Sequence, residues 1–226
     1  MHIEDRPSPN FNARQAAIDM VVLHYTGMKT ADEALDRLCD PDAAVSAHYT
    51  VDEDGTVWRL VAEEHRAWHA GVSYWAGETD INSRSVGIEI VNPGHEFGYR
   101  PFPDAQMTAV EELLSEIVGR HAIAPGRVLG HSDVAPARKQ DPGELFDWDR
   151  LAARGLALRP ADDATPVAAE DAAAVLARIG YDPDAPPADV IAAFQRRFVR
   201  DAVTGTADAR TLAMIGRVLA ALEPGA

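Results

Sequence analysis

Residues 18–27, "IDMVVLHYTG", decide the fold because they predict a β-strand buried on both faces. Ile18 and the run from Met20 to Leu23 are apolar, and the segment then turns polar and ends in Gly27. A continuous apolar run of this length is typical of a strand inside a sheet that is covered on both sides. The strand places His24 at its C-terminal end, where α/β sheets commonly build ligand sites.

The next two segments predict a short helix and a β-hairpin. "TADEALDRLCD", residues 30–40, begins with Thr30 and has Glu33 three positions later. That spacing is the signature of a capping box at the start of a helix. "AHYTVDEDGTVWRLV", residues 47–61, alternates on both sides of Asp54-Gly55 and therefore predicts a hairpin.

Three later segments complete the prediction of the fold class. "SVGIEIVN", residues 85–92, alternates as a strand does, and residues 104–121 have one apolar helical face. "RVLGH", residues 127–131, predicts a short strand that ends at His131. Strands mixed with helices and a hairpin predict an α/β domain with a mixed β-sheet flanked by helices.

The C-terminal part predicts a small all-α three-helix domain. "RPADDATPVAAE", residues 159–170, is rich in proline, alanine and acidic residues and lacks apolar periodicity, which is typical of a linker. Helical patterns follow at 171–179, 187–199 and 207–222. We therefore expect a first domain over 1–158, a linker over 159–170 and an accessory three-helix domain over 171–226. So short a bundle has little core to spare.

The composition excludes several classes of protein. The formal net charge of −15 argues against nucleic acid or an anionic membrane surface as a partner, because both require clustered Lys and Arg. No run of about 18 apolar residues predicts a membrane span. Cys39 is the only cysteine, which excludes an intrachain disulfide and a four-cysteine zinc site. The polar, acidic N-terminus differs from a signal peptide, so we expect a cytoplasmic protein, or a periplasmic one if a leader has been removed.

The stretch "GHSDVAPARKQDPG", residues 130–143, combines with the first strand into a candidate metal site. His24 and His131 lie at predicted strand ends, and Asp141 follows His131 across a loop. Two imidazoles, one carboxylate and an open fourth position form a typical catalytic zinc shell. A zinc ion in such a shell lowers the pKa of a bound water to about 7. From the residues alone, the histidines could instead be structural and Asp141 a turn residue; Asp133 is interpreted as a capping or turn residue.

Glu89 and Lys139 are the candidates for proton transfer and charge stabilisation. A glutamate within an apolar strand is costly to bury unless it is paired or its pKa is raised, which suits a residue that exchanges a proton. A strand face open to solvent explains Glu89 equally well. Lys139 is one of only two lysines in the chain and could stabilise an oxyanion, although a solvated loop lysine is the alternative.

Five motifs in the first domain together resemble one enzyme family. The motifs are "VVLHYTG", "VSAHYTVDEDGTVWRLV", "RAWHAGVSYWAG", "INSRSVGIEIVNPG" and "VLGHSDVAPARKQDPG". In this order they resemble the zinc-dependent N-acetylmuramoyl-L-alanine amidases, a family that includes phage lysozyme-type amidases and peptidoglycan recognition proteins. The resemblance covers nearly all of residues 18–148.

The resemblance implies a fold, a cofactor and a reaction. It implies a mixed sheet with a groove across one face and one Zn²⁺ per chain, held by His24, His131 and Asp141. Glu89 and Lys139 align with the catalytic acidic residue and lysine of the family. The implied reaction cleaves the amide between N-acetylmuramic acid, or its 1,6-anhydro form, and L-alanine of the stem peptide. The implied partners are therefore peptidoglycan fragments or (anhydro)muropeptides.

Four further positions within the motifs are candidates for contact with substrate. They are His48, Tyr49, His69 and Trp75, and for each of them a packing role is the alternative. The C-terminal motifs "VLARIGYD", "VIAAFQRRFV" and "TGTADARTLAMI" resemble peptidoglycan-binding modules, with a generic helical bundle as the alternative.

A muropeptide recognition module that does not cleave its ligand is the rival function. Relatives that only bind typically lose zinc ligands, whereas all three are present here beside Glu89 and Lys139. The sequence therefore favours an amidase of peptidoglycan degradation or recycling.

Overall fold

A six-stranded mixed sheet forms the centre of the computed structural model, which describes residues 2–223. The strand order is β1-β5-β4-β7-β3-β8; β4 and β5 pair antiparallel, and the other neighbours pair parallel. Strands β2 and β6 form a separate two-stranded sheet. The strands are β1 Ile3–Asp5, β2 Phe11–Ala13, β3 Met20–Tyr25, β4 Tyr49–Val51, β5 Val57–Arg59, β6 His65–Ala67, β7 Ser85–Ile90 and β8 Val128–Gly130.

Helices lie on both faces of this sheet. They are α1 Ala31–Cys39, α2 Ile81–Arg84, α3 Gly94–Phe97, α4 Asp104–His121, α5 His131–Val134, α6 Trp148–Ala153, α7 Ala172–Ile179, α8 Pro187–Phe198 and α9 Ala209–Leu222. The central sheet with flanking helices confirms the predicted mixed α/β fold class. No helix within residues 2–223 is long and apolar enough to cross a membrane.

Local sequence signals explain where several elements begin and end. The Thr30 side chain accepts a hydrogen bond from the Glu33 amide at 3.2 Å, which caps the first turn of α1 as the spacing predicted. The predicted helix over residues 104–121 forms with those bounds. The Asp54-Gly55 turn joins β4 and β5 in the predicted hairpin; Gly55 has φ +91°, a conformation that glycine adopts without strain.

The apolar run of β3 is explained by burial on both faces. Val21 and Leu23 face the core that contains Leu113 and Leu114 of α4. Met20 and Val22 face the opposite side, in a second core that they share with the C-terminal helices. Alternate residues of a strand point to opposite faces, so a strand covered on both sides must be apolar at every position.

The C-terminal helices cover part of the second face of the sheet. Each of the three predicted segments contains one helix, and residues 159–168 of the predicted linker form neither α-helix nor strand. Phe194 of α8 and Ile215 of α9 are fully buried in the same apolar cluster as Met20 and Val22. Met1 and the last three residues of the predicted 171–226 domain lie outside the described residues.

The sheet register brings distant parts of the sequence to one edge. His24 of β3 is directly opposite Glu89 of β7, and the two strands run parallel. Strand β8 also runs parallel to β3 and ends at Gly130, so that α5 begins with His131. The carboxyl ends of the three strands therefore deliver His24, Glu89 and His131 to the same edge, as expected for ligand sites of α/β sheets.

Candidate metal centre

Three buried side chains converge at the carboxyl ends of β3 and β8. The Nδ1 atoms of His24 and His131 are 2.8 Å apart, and Asp141 Oδ2 lies 3.1 Å and 2.9 Å from them, respectively. These residues form a group that could hold a metal ion, and all three are buried. Neighbouring ligand atoms of a tetrahedral zinc with bonds of ~2.0–2.1 Å are about 3.3 Å apart, a few tenths of an ångström wider than this triangle.

The imidazole of His131 is oriented by its second nitrogen. Nε2 lies 3.1 Å from the carbonyl oxygen of Ala70, which can only accept a hydrogen bond. Nε2 therefore carries the proton and donates it, and Nδ1 presents a lone pair to His24 and Asp141. Fixing a ligand tautomer through the distal nitrogen is the usual arrangement of metal-binding histidines.

A chain of hydrogen bonds fixes His24 in the same way. The Ser85 hydroxyl donates to the carbonyl of Ile81 at 2.6 Å, so its oxygen accepts from His69 Nε2 at 3.3 Å. His69 Nδ1 is then an acceptor for His24 Nε2 at 3.1 Å. The Nδ1 lone pair of His24 is thereby directed toward His131. Gly87 makes this possible, because a Cβ at that position would overlap the ring of His69.

This pattern of donors and acceptors fits a cation. With both histidines protonated on Nε2, three acceptor atoms, Nδ1 of His24, Nδ1 of His131 and Oδ2 of Asp141, face one another within 3.1 Å. Buried acceptors that face one another lose hydration without gaining a donor, which is unfavourable. A metal ion that accepts all three lone pairs removes the conflict. The donor set of two imidazoles and one carboxylate suits zinc.

The electrostatics of the cluster keep His24 neutral and Asp141 ionised. Burial, followed by the proximity of His131, lowers the pKa of His24 to about 4. Burial alone would raise the pKa of Asp141, but in the metal-free protein a proton on Nδ1 of His131 or His24, donated to Asp141, holds this pKa well below its usual range. Neutral imidazole and ionised carboxylate are the protonation states that bind metals.

Glu89 lies beside this cluster with an unsatisfied carboxyl oxygen. Its Oε2 is buried and has no hydrogen-bond partner among the described residues. Burial, and then the negative charge of Asp141, raise the pKa of Glu89 well above its ordinary value, while Lys139 acts in the opposite direction. The carboxyl therefore retains its proton to higher pH than an exposed glutamate does. Glu89 is only partly exposed, at the groove, and its Oε2 is buried, which argues against the alternative that it lies on a solvated strand face.

The cluster and Glu89 border a groove of about 500 Å³. Lys139 is half-buried on its wall and forms no ion pair with residues 2–223, which leaves its ammonium group available. Trp68 contributes an aromatic side chain, and Arg37 and Arg138 contribute further cations. Glu89, Glu96 and Asp141 line the same groove, so that cations and carboxyl groups both face a bound ligand.

The structure brings only one of the four predicted substrate contacts to this groove. His69 borders it, directly behind His24. His48 is fully buried and accepts a hydrogen bond from the Gly87 amide at 2.9 Å. Tyr49 lies in the core beneath the sheet, and its hydroxyl donates to Glu63 at 2.7 Å. Trp75 is buried against Tyr181, with ring centroids 5.0 Å apart, so these three side chains pack within the protein.

Several residues at or behind the groove were not singled out from the sequence. Tyr25, next to His24, has its hydroxyl 3.0 Å from His95 Nδ1, and His95 Nε2 donates to Glu144 at 3.2 Å. Burial raises the pKa of Tyr25 to about 12, so it remains a hydrogen-bond donor. The one signal in the sequence that could have placed Tyr25 at the groove is its position directly after His24, a predicted ligand.

A mixed α/β sheet with a buried triad that could hold a metal ion, and with a carboxyl of raised pKa beside it, fits the class of metal-dependent hydrolases. Comparisons with known proteins identify the family. The family model described as N-acetylmuramoyl-L-alanine amidase matches residues 14–144. The chain belongs to this family and is an enzyme of this class.

Three relatives illustrate the similarity. N-acetylmuramoyl-L-alanine amidase AmiD of Escherichia coli (strain K12) is 38% identical over 89% of this chain and 82% of its own length. Its structure in complex with the substrate anhydro-N-acetylmuramic acid-L-Ala-D-γ-Glu-L-Lys matches with a TM-score of 0.81, 37% identity, and coverage of 92% of this chain and 91% of that one. AmpDh3 of Pseudomonas aeruginosa in complex with anhydromuramic pentapeptide matches with a TM-score of 0.83, 30% identity, and coverage of 97% and 96%. The 1,6-anhydro-N-acetylmuramyl-L-alanine amidase AmpD of Haemophilus influenzae (strain ATCC 51907 / DSM 11121 / KW20 / Rd) is 32% identical over 66% of this chain and 85% of its own length.

The raised pKa of Glu89 gives a prediction for the stability of the metal-free protein. The folded state holds the Glu89 proton above the pH at which the unfolded chain releases it, so stability falls as pH rises from about 4.5 toward the folded pKa. Each pH unit in that window contributes up to about 1.4 kcal/mol. Glu89→Gln should therefore stabilise the metal-free protein relative to wild type, increasingly so as the pH rises above about 4.5, in urea unfolding. Glu112→Gln, at an exposed position of α4, is the matched control. Parallel pH profiles for wild type and Glu89→Gln would contradict the assignment.

Proposed function

We propose that the chain uses one zinc ion to hydrolyse the amide bond between N-acetylmuramic acid, or its 1,6-anhydro form, and L-alanine of the stem peptide. The main support is the convergence of three acceptor atoms from His24, His131 and Asp141 at the edge of the groove, with the buried carboxyl of Glu89 beside them. AmiD and AmpDh3, which share most of this fold, are described in complexes with anhydromuramyl peptides.

His24, His131 and Asp141 would hold the zinc. Zinc bound there supplies a Lewis acid that polarises the scissile carbonyl and activates water near neutral pH. The hydrogen bonds from His131 to Ala70 and from His24 to His69 would keep both Nδ1 lone pairs directed at the ion. Asp141 would contribute the one negative charge of the ligand set.

Glu89 would transfer the proton. Amide hydrolysis needs a group that removes a proton from the attacking water and later delivers it to the departing amine of L-alanine. A carboxyl with a raised pKa performs both steps at neutral pH more readily than an ordinary glutamate does. Glu89 lines the groove, from which water and the leaving nitrogen would reach its carboxyl group, and its Oε2 has no competing hydrogen-bond partner among the described residues.

Lys139 would stabilise the charge that develops on the carbonyl oxygen. It borders the groove together with Glu89 and Asp141, and its positive charge acts on both Glu89 and His24. A fixed cation in a partly desolvated site stabilises an oxyanion more than it stabilises a neutral carbonyl.

The C-terminal helices remain the candidate for a peptidoglycan-binding module. We keep the division into residues 1–158, a linker over 159–170 and a domain over 171–226 as a proposal, supported by helices in each of the three predicted segments. The cytoplasmic location expected from the sequence also stays a prediction. The choice between soluble muropeptides and intact sacculi bears directly on it.

Product analysis tests the proposed reaction. Zinc-loaded protein should release stem peptides that begin with L-alanine from soluble anhydro-muropeptides or from intact sacculi, as identified by mass spectrometry. The substrate that is cleaved faster indicates the compartment. If neither is cleaved while wild type and Glu89→Ala bind muropeptide equally well, the protein is a recognition module instead.

Asp141→Ala should lose zinc, because it removes the only anionic ligand and leaves two neutral imidazoles. Metal analysis after dialysis should show about one zinc per wild-type chain and far less in the variant. Asp32→Ala, at an exposed position of α1, is the matched control and should keep its zinc stoichiometry, because Asp32 is not part of the cluster. Full zinc occupancy in Asp141→Ala would refute the ligand assignment.

Lys139→Met should retain zinc but lower kcat by about 10²–10³-fold, the usual cost of removing one stabilising group of an oxyanion. Lys29, the only other lysine of the chain, supplies the matched control. It lies 5.4 Å from the ring of Phe97 and does not border the groove, so Lys29→Met should leave kcat unchanged. Equal turnover by the two variants would exclude Lys139 from the reaction.

A further inference from the structure

A buried ion pair joins the C-terminal helices to the turn that carries His131. Arg197 of α8 donates from Nη1 to Asp133 Oδ2 at 2.9 Å, and the two side chains are 5% and 1% exposed. Arg197 also donates from Nη2 to the carbonyl of Val128 at 2.8 Å, and its guanidinium lies 4.3 Å from the ring centroid of Trp148. The two bonds come from different nitrogens of the planar guanidinium, whereas the donors of a lysine all lie on one nitrogen and cannot reproduce this spacing.

Asp133 connects this arginine to the metal cluster. Its Oδ2 also accepts from the Gly130 amide at 2.8 Å, which fixes the backbone immediately before His131. Its Oδ1 accepts from the hydroxyl of Tyr181, in the C-terminal part, at 2.7 Å. Two of the three groups that satisfy this buried carboxylate therefore belong to residues beyond the predicted linker.

The α5 turn also positions Asp141, the second candidate ligand within residues 130–143. The Ser132 amide donates to the carbonyl of Asp141 at 2.9 Å, so the α5 turn positions the backbone of Asp141 as well as His131. The α5 turn, which Arg197 contacts through Asp133, therefore carries one candidate ligand, His131, and contacts a second, Asp141.

We propose that Arg197 is a positioning residue for the metal centre. Through Asp133 it holds the turn that presents His131 and Asp141, so the metal affinity of the amidase part depends on the C-terminal helices. The inference rests on the proposed function, because it takes His131 and Asp141 as zinc ligands. Supporting groups of this kind typically change metal affinity by about 10–100-fold when they are removed.

The alternative is that the ion pair only joins two parts of the chain. In that case its loss lowers the stability of the metal-free and zinc-bound forms equally, and the rise in Tm on adding zinc stays the same. If Arg197 positions the ligands, its loss weakens zinc binding and the zinc-induced rise in Tm becomes smaller. The zinc-induced shift therefore separates the two roles.

The test compares full-length Arg197→Met with Arg178→Met. Arg178 also belongs to the C-terminal helices, but it pairs at 2.8 Å with exposed Glu223 and not with Asp133. In chelator competition, Arg197→Met should bind zinc about 10–100-fold more weakly than wild type, with a smaller zinc-induced rise in Tm and an altered Co²⁺ absorption spectrum. Arg178→Met should match wild type in all three measurements.

Two milder variants keep the proposal testable if Arg197→Met does not fold. Arg197→Lys retains the charge but not the fork, and Tyr181→Phe removes only the hydroxyl that donates to Asp133. Both should weaken zinc binding by less than Arg197→Met does. Wild-type affinity and an unchanged Co²⁺ spectrum in the folded variants would overturn the proposal. Failure of the wild type to bind zinc would instead refute the proposed function.

Discussion

The parallel pairing of β3 with β7 is the constraint on which the site depends. It sets His24 and Glu89 side by side on one face of the sheet, with no residue of either strand between them. Gly87, two positions before Glu89, leaves room on that face for the ring of His69, which in turn orients His24. A shift of one residue in this register would turn Glu89 to the opposite face, toward α4.

The fold stabilises an arrangement that is unfavourable without a cation. Two imidazole lone pairs and an ionised carboxylate face one another within 3.1 Å. The Nε2 atom of His131 is hydrogen-bonded to Ala70, and the Nε2 atom of His24 is hydrogen-bonded to His69. Neither histidine can rotate away without leaving a buried hydrogen bond unmade. The surrounding structure therefore holds the three candidate ligand atoms together, and a metal ion bound between them would relieve their mutual repulsion.

Local signals predicted most of the fold but only part of the site. Periodicity and capping were sufficient for β3, α1 and α4, because those patterns depend on neighbouring residues. The triad could be proposed from strand ends and family motifs, whereas the burial of Glu89 required the packed sheet. Trp75 and Tyr49 were expected near substrate, yet the direction of a side chain out of a strand or loop depends on what covers it. Asp133 and Arg197 are 64 positions apart, and no local pattern links them.

The placement of the C-terminal helices follows from the same need to cover β3. Met20 and Val22 lie on the face that also carries His24, so this face must be apolar toward the start of the strand and open toward its end. Helices α7, α8 and α9 share the core of the apolar half and leave the polar half as the groove. The packed helices exclude water from Asp133, in the α5 turn. The buried carboxylate of Asp133 therefore needs a cation from these helices, since it would otherwise be an uncompensated charge. Arg197 supplies that cation from the side of the helix that faces the sheet, so the contact that completes the core also reaches the metal centre.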